Sequence, residues 1–386
     1  MSVGEDKPRI LVVGAGIGGL AAAAALGQAG IETIVFERLD GLIAVGGAFT
    51  IASNAMLALR ELGLDSALAE RGAVIKYFSH RTWRGKELAR WPLVDFARDA
   101  GAPVVGIGRP EVQDVLLQAV DDSDVRFGWK CIGVVQDESG VTASFENGRE
   151  ERGTALVAAD GEQSTVRRLV DETPLRYSGH TTWQGAVTFD EFAPATQTQS
   201  YGRGVLFGTR PIGGGKVYWY ASRTAPPGTS VPADAKAELL ELVRGWHDPI
   251  EQLVDATDVK AMLPHLDVYD LPRRDSWGKG RITLLGDAAH PMAPALGQGA
   301  CQAIEDGVKL ARQLARAHGD NIPARLRRYE AERIARTAPI VERARTQDRI
   351  SHGDTTTERI ARSLGLRLAP ARAIAKRYKD LFTFEP

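Results

Sequence analysis

Two glycine-rich segments at opposite ends of the chain have the residue types and spacing to bind a nucleotide cofactor. The first is GAGIGGL at residues 14–20, and the second is GDAAHPMAPALGQGA at residues 286–300. Glycines in GxGxxG spacing permit a tight turn, a close approach of the backbone to a pyrophosphate and close helix–strand packing. The phosphates then lie at a helix N-terminus, where free N–H groups and the helix dipole favour anions. The pair predicts a single cofactor site built from both ends of the chain.

The neighbours of the first segment predict a βαβ unit. Residues 9–13 (RILVV) are typical of a buried parallel strand, and the alanine-rich residues 20–26 predict a helix. A second strand ends in Glu37, about 20 residues after the fingerprint, where a carboxylate accepts from ribose hydroxyls. A glycine-rich turn without a ligand is the alternative, and the complete strand–helix–acid context disfavours it. The predicted cofactor contacts here are Gly14, Gly16, Ile17, Gly18, Gly19, Glu37 and Arg38.

The second segment predicts contacts with the ring system of a flavin. The strand ITLL ends at Asp287, which can accept from a ribityl hydroxyl. The following glycines open a helix whose N–H groups and dipole would face the pyrimidine ring and stabilise the negative charge of reduced flavin. Together the two segments predict non-covalently bound FAD, although an ordinary glycine-rich helix start is the alternative for the second alone. The predicted contacts here are Asp287, Gly297, Gln298, Gly299 and Ala300.

A third motif, AADGEQSTVRR at residues 158–168, predicts a strand that ends at Asp160 and a helix with Ser164 as its N-cap. A well-capped helix without a ligand is the alternative for this motif in isolation. A further helix is predicted to begin near Arg109.

With these motifs in place, the chain resembles the single-component FAD-dependent aromatic hydroxylases related to p-hydroxybenzoate hydroxylase. The resemblance rests on the GxGxxG segment, on Asp160–Gly161 and on Gly286–Asp287, and it covers nearly the whole chain. It implies that Arg109 contacts the ribityl-pyrophosphate region of FAD. Ala48 and Cys131 complete the predicted cofactor contacts.

The middle of the chain resembles the branch of this family that holds bacterial urate hydroxylases and plant zeaxanthin epoxidases, through Trp183, Gly185 and GGGKVYWYA at residues 213–221. By approximate alignment, Leu206 stands where urate hydroxylases carry a substrate-binding arginine, which argues against urate. The resemblance implies that NAD(P)H reduces FAD and that O2 then gives a flavin C4a-hydroperoxide, which transfers one oxygen atom to an electron-rich carbon. No side chain is required as a nucleophile, so no catalytic residue is assigned.

The substrate pocket is predicted between the flavin and a mostly antiparallel sheet. Its candidate residues are Leu206, Gly208, Tyr218 and Tyr220 on strands, with Pro294 opposite. Strand alternation places at least one of residues 218–220 in the core. Three cations fall at strand ends or in a turn and are expected to be solvated: Arg203, Arg210 and Lys216. We therefore predict a largely apolar pocket for an aromatic or polyene substrate.

The order of elements predicts an α/β fold: a Rossmann-like FAD-binding domain, an inserted, mostly antiparallel β-sheet substrate domain, and C-terminal helices. The predicted FAD-binding domain is discontinuous and comprises residues 1–75, 101–172 and 280–330. The predicted substrate domain comprises residues 76–100 and 173–279, and a helical segment covers residues 331–386.

Composition limits the partners. With 386 residues and a net charge of -1, the chain gives no indication of a nucleic-acid or membrane-surface partner. No apolar run approaches the roughly 18 residues of a membrane span, and no signal peptide is visible. The two cysteines are far apart and the histidines lack metal-ligand spacing. We expect a cytoplasmic protein without a metal, acting on a small molecule and O2, as a monomer or weak homodimer.

Other flavoprotein classes share the first fingerprint. A halogenase would carry a WxWxIP segment, which is absent from the sequence. A flavin-linked reductase or cyclase and a non-catalytic flavin or ligand binder stay as alternatives. Oxygen uptake stoichiometric with product distinguishes a monooxygenase from these. The sequence leaves open the substrate, NADH against NADPH, and hydroxylation against epoxidation.

Overall fold

The computed structural model of the chain describes residues 8–42, 47–121, 124–189, 192, 195–229, 234–317, 321–353 and 355–385. One of its sheets carries the fingerprints. This sheet is parallel and five-stranded. In spatial order its strands are β18 (Ile282–Leu284), β12 (Ala155–Ala158), β1 (Arg9–Val13), β2 (Glu32–Glu37) and β8 (Val125–Phe127). The central strands are apolar and buried, as expected where helices cover both faces.

The register of this sheet brings the three motifs together. Val13 of β1 pairs with Ala158 of β12, and Ala158 pairs with Leu284 of β18. Because the strands are parallel, the loops after all three residues leave the same edge of the sheet. The first, third and second motifs are therefore neighbours in space, as the sequence analysis requires of a single site.

Small residues allow the helix of the first fingerprint to pack closely. This helix, α1 (Ile17–Gln28), lies against α9 (Gly299–Leu314). A Cβ atom added to Gly307 would lie 2.7 Å from the backbone nitrogen of Ala22, so only glycine fits at this crossing. The alanine-rich segment is thus buried between sheet and helix.

A seven-stranded sheet forms the second layer of the molecule. In spatial order its strands are β17 (Leu263–Asp270), β13 (Arg176–Thr188), β16 (Lys216–Thr224), β15 (Val205–Pro211), β14 (Thr196–Tyr201), β5 (Tyr77–Thr82) and β6 (Glu87–Pro92). All neighbouring pairs are antiparallel except β14 and β5. The strands around residues 77–92 therefore join those after residue 176, although the division into domains stays a prediction.

One face of this sheet packs on two helices, α7 (Ala235–Leu242) and α8 (Ile250–Ala256). Trp219 is fully buried on this face and donates from Nε1 to Oγ1 of Thr257 at 2.9 Å. The prediction that at least one of residues 218–220 is core is thus confirmed.

Two small sheets and five further helices lie in the described part of the chain before residue 176. One sheet contains β3 (Ala48–Ile51), β7 (Val105–Gly108) and β4 (Ala73–Val74), and the other contains β11 (Glu150–Gly153), β10 (Val141–Phe145) and β9 (Cys131–Gln136). The helices are α2 (Ser53–Glu61), α3 (Asp65–Arg71), α4 (Leu93–Ala100) and α6 (Thr165–Val170), with α5 (Arg109–Leu117) directly after β7. The helix predicted near Arg109 is confirmed.

The C-terminal part is helical, as predicted, and comprises α10 (Ile322–Ser351), α11 (Thr356–Leu368) and α12 (Ala371–Phe382). The first break between these helices lies before α11, where Thr355 forms a capping box with Glu358. The second break, before α12, was not predicted, although Pro370 stands there. Among the described residues, no helix has both the length and the apolarity to cross a membrane.

Candidate active site

A cleft of about 250 Å³ lies over the carboxyl edge of the parallel sheet. Edges of this kind are the usual ligand sites of open α/β sheets. Most of the predicted cofactor contacts from the first and third motifs line it: Gly14, Gly16, Glu37, Arg38, Arg109, Cys131 and Asp160. The structure thus brings together residues that are up to about 145 positions apart in the chain.

The four glycines of the first fingerprint have different surroundings. Gly14 has φ 107°, and a Cβ there would lie 2.4 Å from the carbonyl oxygen of Ala159. A Cβ on Gly16 would meet nothing within 4 Å, so the backbone is open to a ligand there. Gly18 and Gly19 instead serve packing, since Cβ atoms there would lie 2.6 Å from Leu285 and 1.9 Å from the oxygen of Gly14.

The start of α1 nevertheless has the free N–H groups that an anion site requires. Its N-cap, Gly16, provides no side-chain hydrogen bond. Ile17, Gly18 and Gly19 form the first turn, in which N–H groups lack intrahelical acceptors. These three residues can therefore bind phosphate through their backbone while Ile17 and Gly19 are buried by packing.

Two side chains on β2 and β9 border the far part of this cleft. The Glu37 carboxylate accepts from the N–H of Ala15 at 2.8 Å and from that of Leu39 at 3.1 Å, which fixes it at the strand end. Burial raises the pKa of the Cys131 thiol to about 11, so it is protonated and poorly nucleophilic at neutral pH. Glu37 and Cys131 thus line the cleft, and neither offers a nucleophile.

Asp160 joins the third motif to α6. Its Oδ2 accepts from the N–H of Thr165 at 2.7 Å, while its Oδ1 is buried without a hydrogen-bond partner among the described residues. Ser164 accepts from the N–H of Arg167 at 2.9 Å, so the predicted N-cap is confirmed. The guanidinium of Arg167 donates to the carbonyl of Ala288 at 3.1 Å and so ties this motif to the second fingerprint.

Asp287 lies in a 3-10 turn, Gly286–Ala288, at the end of β18. The surrounding chain encloses it and raises its pKa, an effect opposed by His290 and Arg109. Its side chain is nonetheless exposed, and it lines a neighbouring cavity that is described below. A carboxylate that faces a cleft and carries no hydrogen bond from the described side chains suits the ribityl acceptor predicted at this position.

The predicted helix start at the second fingerprint is also present. Gly297 has φ 62°, which favours glycine, and α9 begins at Gly299 without a side-chain cap. Gln298 is buried; its Oε1 accepts from Asn54 at 3.0 Å, and its Nε2 has no partner among the described residues. Gly297, Gln298, Gly299 and Ala300 all line a second cavity, so open N–H groups border it.

These features fit FAD. Uncapped starts of α1 and α9, the open space beside Gly16 and the unpaired atoms of Asp160 and Gln298 all lie along the two cavities. Arg109 lines both cavities and connects them. A molecule with a pyrophosphate in the middle, a nucleoside at one end and a flavin ring at the other matches this arrangement.

A network of buried charged side chains holds the second fingerprint in place. Asp306 on α9 accepts from the N–H of Gly286 at 2.9 Å and contacts Nε2 of His290 at 2.7 Å. Arg333 on α10 donates to Glu305 at 2.7 Å and to Asp306. Burial alone would raise the pKa of Asp306, but His290 and Arg333 hold it at about 2. His290, which was assigned no role, thus fixes the loop that carries Asp287.

The second cavity, of about 380 Å³, separates the second fingerprint from the seven-stranded sheet. Leu206, Tyr218 and Tyr220 line it from the sheet, and Pro294 lines it from the opposite side, as predicted. Strand alternation holds across the sheet, because neighbouring strands contribute every second residue to the cavity wall. Ala48, at the start of β3, also lines this cavity.

Two predictions about this cavity need correction. Gly208 does not line it, because a Cβ there would lie 2.1 Å from the ring of Tyr220, which covers the glycine. Arg210 was expected to be solvated, but it follows Leu206 and Gly208 on the same face of β15 and lines the cavity. The pocket therefore contains a guanidinium that the strand-end position did not reveal.

Arg210 is held by aromatic and polar contacts. Its guanidinium lies 5.2 Å from the ring centre of Tyr218 and 5.5 Å from that of Tyr220, within cation–π range. It donates from Nη1 to Oγ1 of Thr50 at 2.8 Å, while its buried Nε has no partner among the described residues. The arginine can thus donate a charged hydrogen bond to a substrate oxygen.

Two histidines and an aspartate that are distant in sequence also meet beside this cavity. Nδ1 of His180 lies 3.1 Å from Oδ2 of Asp348, and the rings of His180 and His352 stack at 4.0 Å. Burial, and then His352, lowers the pKa of His180 to about 3; burial, and then Asp270, raises that of Asp348 to about 7. His180 is therefore neutral, and Asp348 can exchange a proton near neutral pH.

The same three side chains have the atom types of a metal site. Both nitrogens of His352 are already engaged, however: Nε2 with Ser222 at 2.6 Å and Nδ1 with the carbonyl of Asp348 at 2.9 Å. Hydrogen bonding thus accounts for the arrangement. The sequence offered no signal for it, because His180 and His352 are on a strand and at a helix end.

Comparison with known proteins adds independent information. The model of the FAD binding domain family matches residues 7–344. The chain is 42% identical over 334 residues to the aurachin C monooxygenase/isomerase of Stigmatella aurantiaca, covering 86% of each protein. It is 33% identical over 352 residues to the FAD-dependent urate hydroxylase of Mycolicibacterium vanbaalenii, covering 89% of each. The crystal structure of Klebsiella pneumoniae HpxO complexed with FAD and uric acid superposes with a TM-score of 0.91 at 29% identity, covering 98% of this chain and 97% of that one.

Proposed function

The chain belongs to the FAD binding domain family and is an FAD-dependent monooxygenase, and from this premise we propose that it inserts one oxygen atom of O2 into an electron-rich aromatic or polyene ligand held in the second cavity. The observation that carries the proposal is the position of this cavity. It lies between the open start of α9 and the aromatic face of the seven-stranded sheet. A ligand there would face the flavin ring directly.

The cofactor-binding residues are assigned by their position along the two cavities. Bound FAD supplies the redox chemistry, using NAD(P)H as reductant and O2 as oxidant. The first turn of α1 binds the pyrophosphate, Glu37 the adenosine ribose and Asp287 the ribityl chain. N–H groups at the start of α9 stabilise negative charge on the ring. Asp160 borders the cofactor and orders the loop at which the nicotinamide cofactor approaches.

The substrate is recognised by both apolar and polar walls. Leu206 and Pro294, with the aromatic rings of Tyr218 and Tyr220, suit a planar apolar ring system. Arg210 adds a charged donor for an oxygen of that ring system, so the pocket is less apolar than the sequence predicted. Ser222 and His352 supply hydrogen-bonding atoms at another border of the cavity.

The rest of the assignment follows the family. The enzyme acts on a small molecule in the cytoplasm as a monomer or weak homodimer. Its FAD-binding part is discontinuous, and its substrate part comprises residues 76–100 and 173–279. Aurachin C and urate, the compounds that name two relatives, are the first to test.

The test is a coupled measurement of NAD(P)H oxidation, O2 uptake and product mass with aurachin C, urate and a panel of phenols. We expect a compound that stimulates O2 uptake and gains one oxygen atom. Substituting Arg210→Leu should weaken binding of that compound by about 10- to 100-fold, the loss of one charged hydrogen bond. Arg203→Gln, at an exposed position in the connection between β14 and β15, is the control. NAD(P)H oxidation without O2 consumption would refute the proposal.

A further inference from the structure

The outer face of α11 carries an apolar stripe. Ile360, Leu364 and Leu368 are 55%, 48% and 74% exposed, and their spacing of four residues places them on one side of the helix. The inner side is packed: Arg362 is buried, and Leu366 contacts the cluster around Leu206. The stripe has no partner within the described part of the chain.

Positive charge lies beside this stripe, where Arg359 and Arg367 line the same shallow pocket as Ile360 and Leu364, and it continues along the chain into α12. Residues 355–379 contain seven Lys and Arg and one acidic residue, Glu358, in a chain whose net charge is -1. Glu358 is engaged in the capping box of α11. Arg367, Arg372 and Lys376 are exposed and form no ion pair with the described carboxylates. The near-neutral total charge therefore conceals a local basic surface.

The stripe also lies close to the substrate cavity. Arg362 donates to the carbonyl of Ser351 at 2.7 Å, and Ser351 and His352 line the cavity. Leu366 packs on the cluster that contains Leu206, another lining residue. One side of α11 thus supports the cavity wall while the other side is free to meet a surface.

We propose that the outer face of α11 docks on an anionic lipid surface, where a lipophilic substrate is taken up. A helix with an aliphatic stripe and flanking cations is the form of an interfacial helix. A second copy of this chain fits less well, because two-fold pairing of this face would bring two basic surfaces together. The delivery of substrate, though not the docking itself, rests on the proposed function.

The test is co-sedimentation of the FAD-loaded full chain with vesicles of phosphatidylcholine, alone or with about 30% phosphatidylglycerol. We expect binding only to the anionic vesicles, weakened by salt. The double variant Arg359→Gln/Arg367→Gln should bind about 25-fold more weakly, at roughly fivefold per cation. The double variant Ile360→Ser/Leu364→Ser should lose most of the apolar contribution to vesicle binding, so it should also bind more weakly.

Matched controls are Val259→Ser, at an exposed apolar position, and Arg84→Gln/Arg273→Gln, at exposed basic positions. These variants should bind like the original protein. Absence of binding, equal binding to neutral vesicles, or equal loss in the controls would overturn the proposal. So would a dimer in solution that dissociates in the Ile360→Ser/Leu364→Ser variant. Because the assay needs no turnover, its outcome is independent of the substrate assignment.

Discussion

At the level of single residues, the most informative atoms are buried polar atoms that lack a partner. Oδ1 of Asp160, Nε2 of Gln298 and Nε of Arg210 are of this kind, and all three residues line the cavities. A buried polar atom without a hydrogen bond costs about 1–3 kcal/mol. Such atoms are expected where a ligand completes the hydrogen bonding, which supports the proposed positions of cofactor and substrate.

Asp287→Ala should weaken FAD binding by about 10- to 100-fold, because it removes a charged acceptor for a ribityl hydroxyl. Fluorescence titration of the apoprotein with FAD measures the dissociation constant. Asp275→Ala is the control, since the Asp275 side chain is 97% exposed. Unchanged affinity in the Asp287 variant would show that this carboxylate does not contact the cofactor.

The protein should lose stability in acid because of the buried residue His80. Burial, and then Arg377, lowers the pKa of His80 from 6.5 to about 3. Below pH 6.5 the unfolded chain binds a proton that the folded chain does not, so this contribution is lost as the pH falls from about 6.5 towards 3. The slope is about 1.4 kcal/mol per pH unit for one proton. Urea unfolding of His80→Phe between pH 7 and 4 should show a correspondingly smaller slope.

Trp91→Phe is the control for that measurement. Trp91 packs on His80 with ring centres 4.1 Å apart but does not titrate. Its substitution should lower the free energy of unfolding by a similar amount at every pH. Parallel slopes for the original protein and His80→Phe would contradict the assignment of His80 as a neutral buried histidine.

At the level of elements, two glycines of α1 differ in how closely their surroundings are packed. Gly19→Ala should destabilise the fold by at least about 1–3 kcal/mol, because the new Cβ overlaps backbone; its calculated position is 1.9 Å from the oxygen of Gly14. Gly27→Ala, in the same helix with nothing within 4 Å, should instead stabilise by about 0.5–1 kcal/mol. Thermal unfolding of both apoproteins tests this pair, and equal effects would contradict it.

The elements also show what sequence patterns can establish. Strands, helix starts and the face of Leu206 and Tyr218 were predictable because each depends on local periodicity or on a motif. The resemblance to the FAD-dependent hydroxylases was predictable because its motifs are specific, and the family match confirms it. Arg210 was assigned wrongly because a strand end was equated with solvent, whereas two tyrosine rings and Thr50 hold it in the cavity.

The cluster of His180, Asp348 and His352 could not be predicted from local sequence patterns. Its members come from β13 and the end of α10, and only the tertiary packing of these elements brings them together. The basic face of α11 was missed for a different reason. The total charge of the chain averages over it, and only the exposed side chains reveal the asymmetry.

At the level of the whole molecule, FAD should stabilise the folded chain, because its site joins β1, β12 and β18. FAD at a hundred times its dissociation constant should add about 2.7 kcal/mol to the free energy of unfolding. Calorimetry of apoprotein and holoprotein measures the shift. Flavin release and the change in tryptophan fluorescence should occur together; release of flavin well below the unfolding transition would show that the site opens separately from the core.

The distance in sequence between Gly14 and Ala300, both on the cavities, has a consequence for biosynthesis. At roughly 5–20 residues per second, a ribosome needs about 15–60 s to travel between them. During that interval the nascent α1 has no α9 to pack against and no complete site for the cofactor. Flavin loading can therefore be completed only after α9 has been synthesised, and a cell starved of riboflavin should lose this protein to proteases rather than accumulate a colourless form.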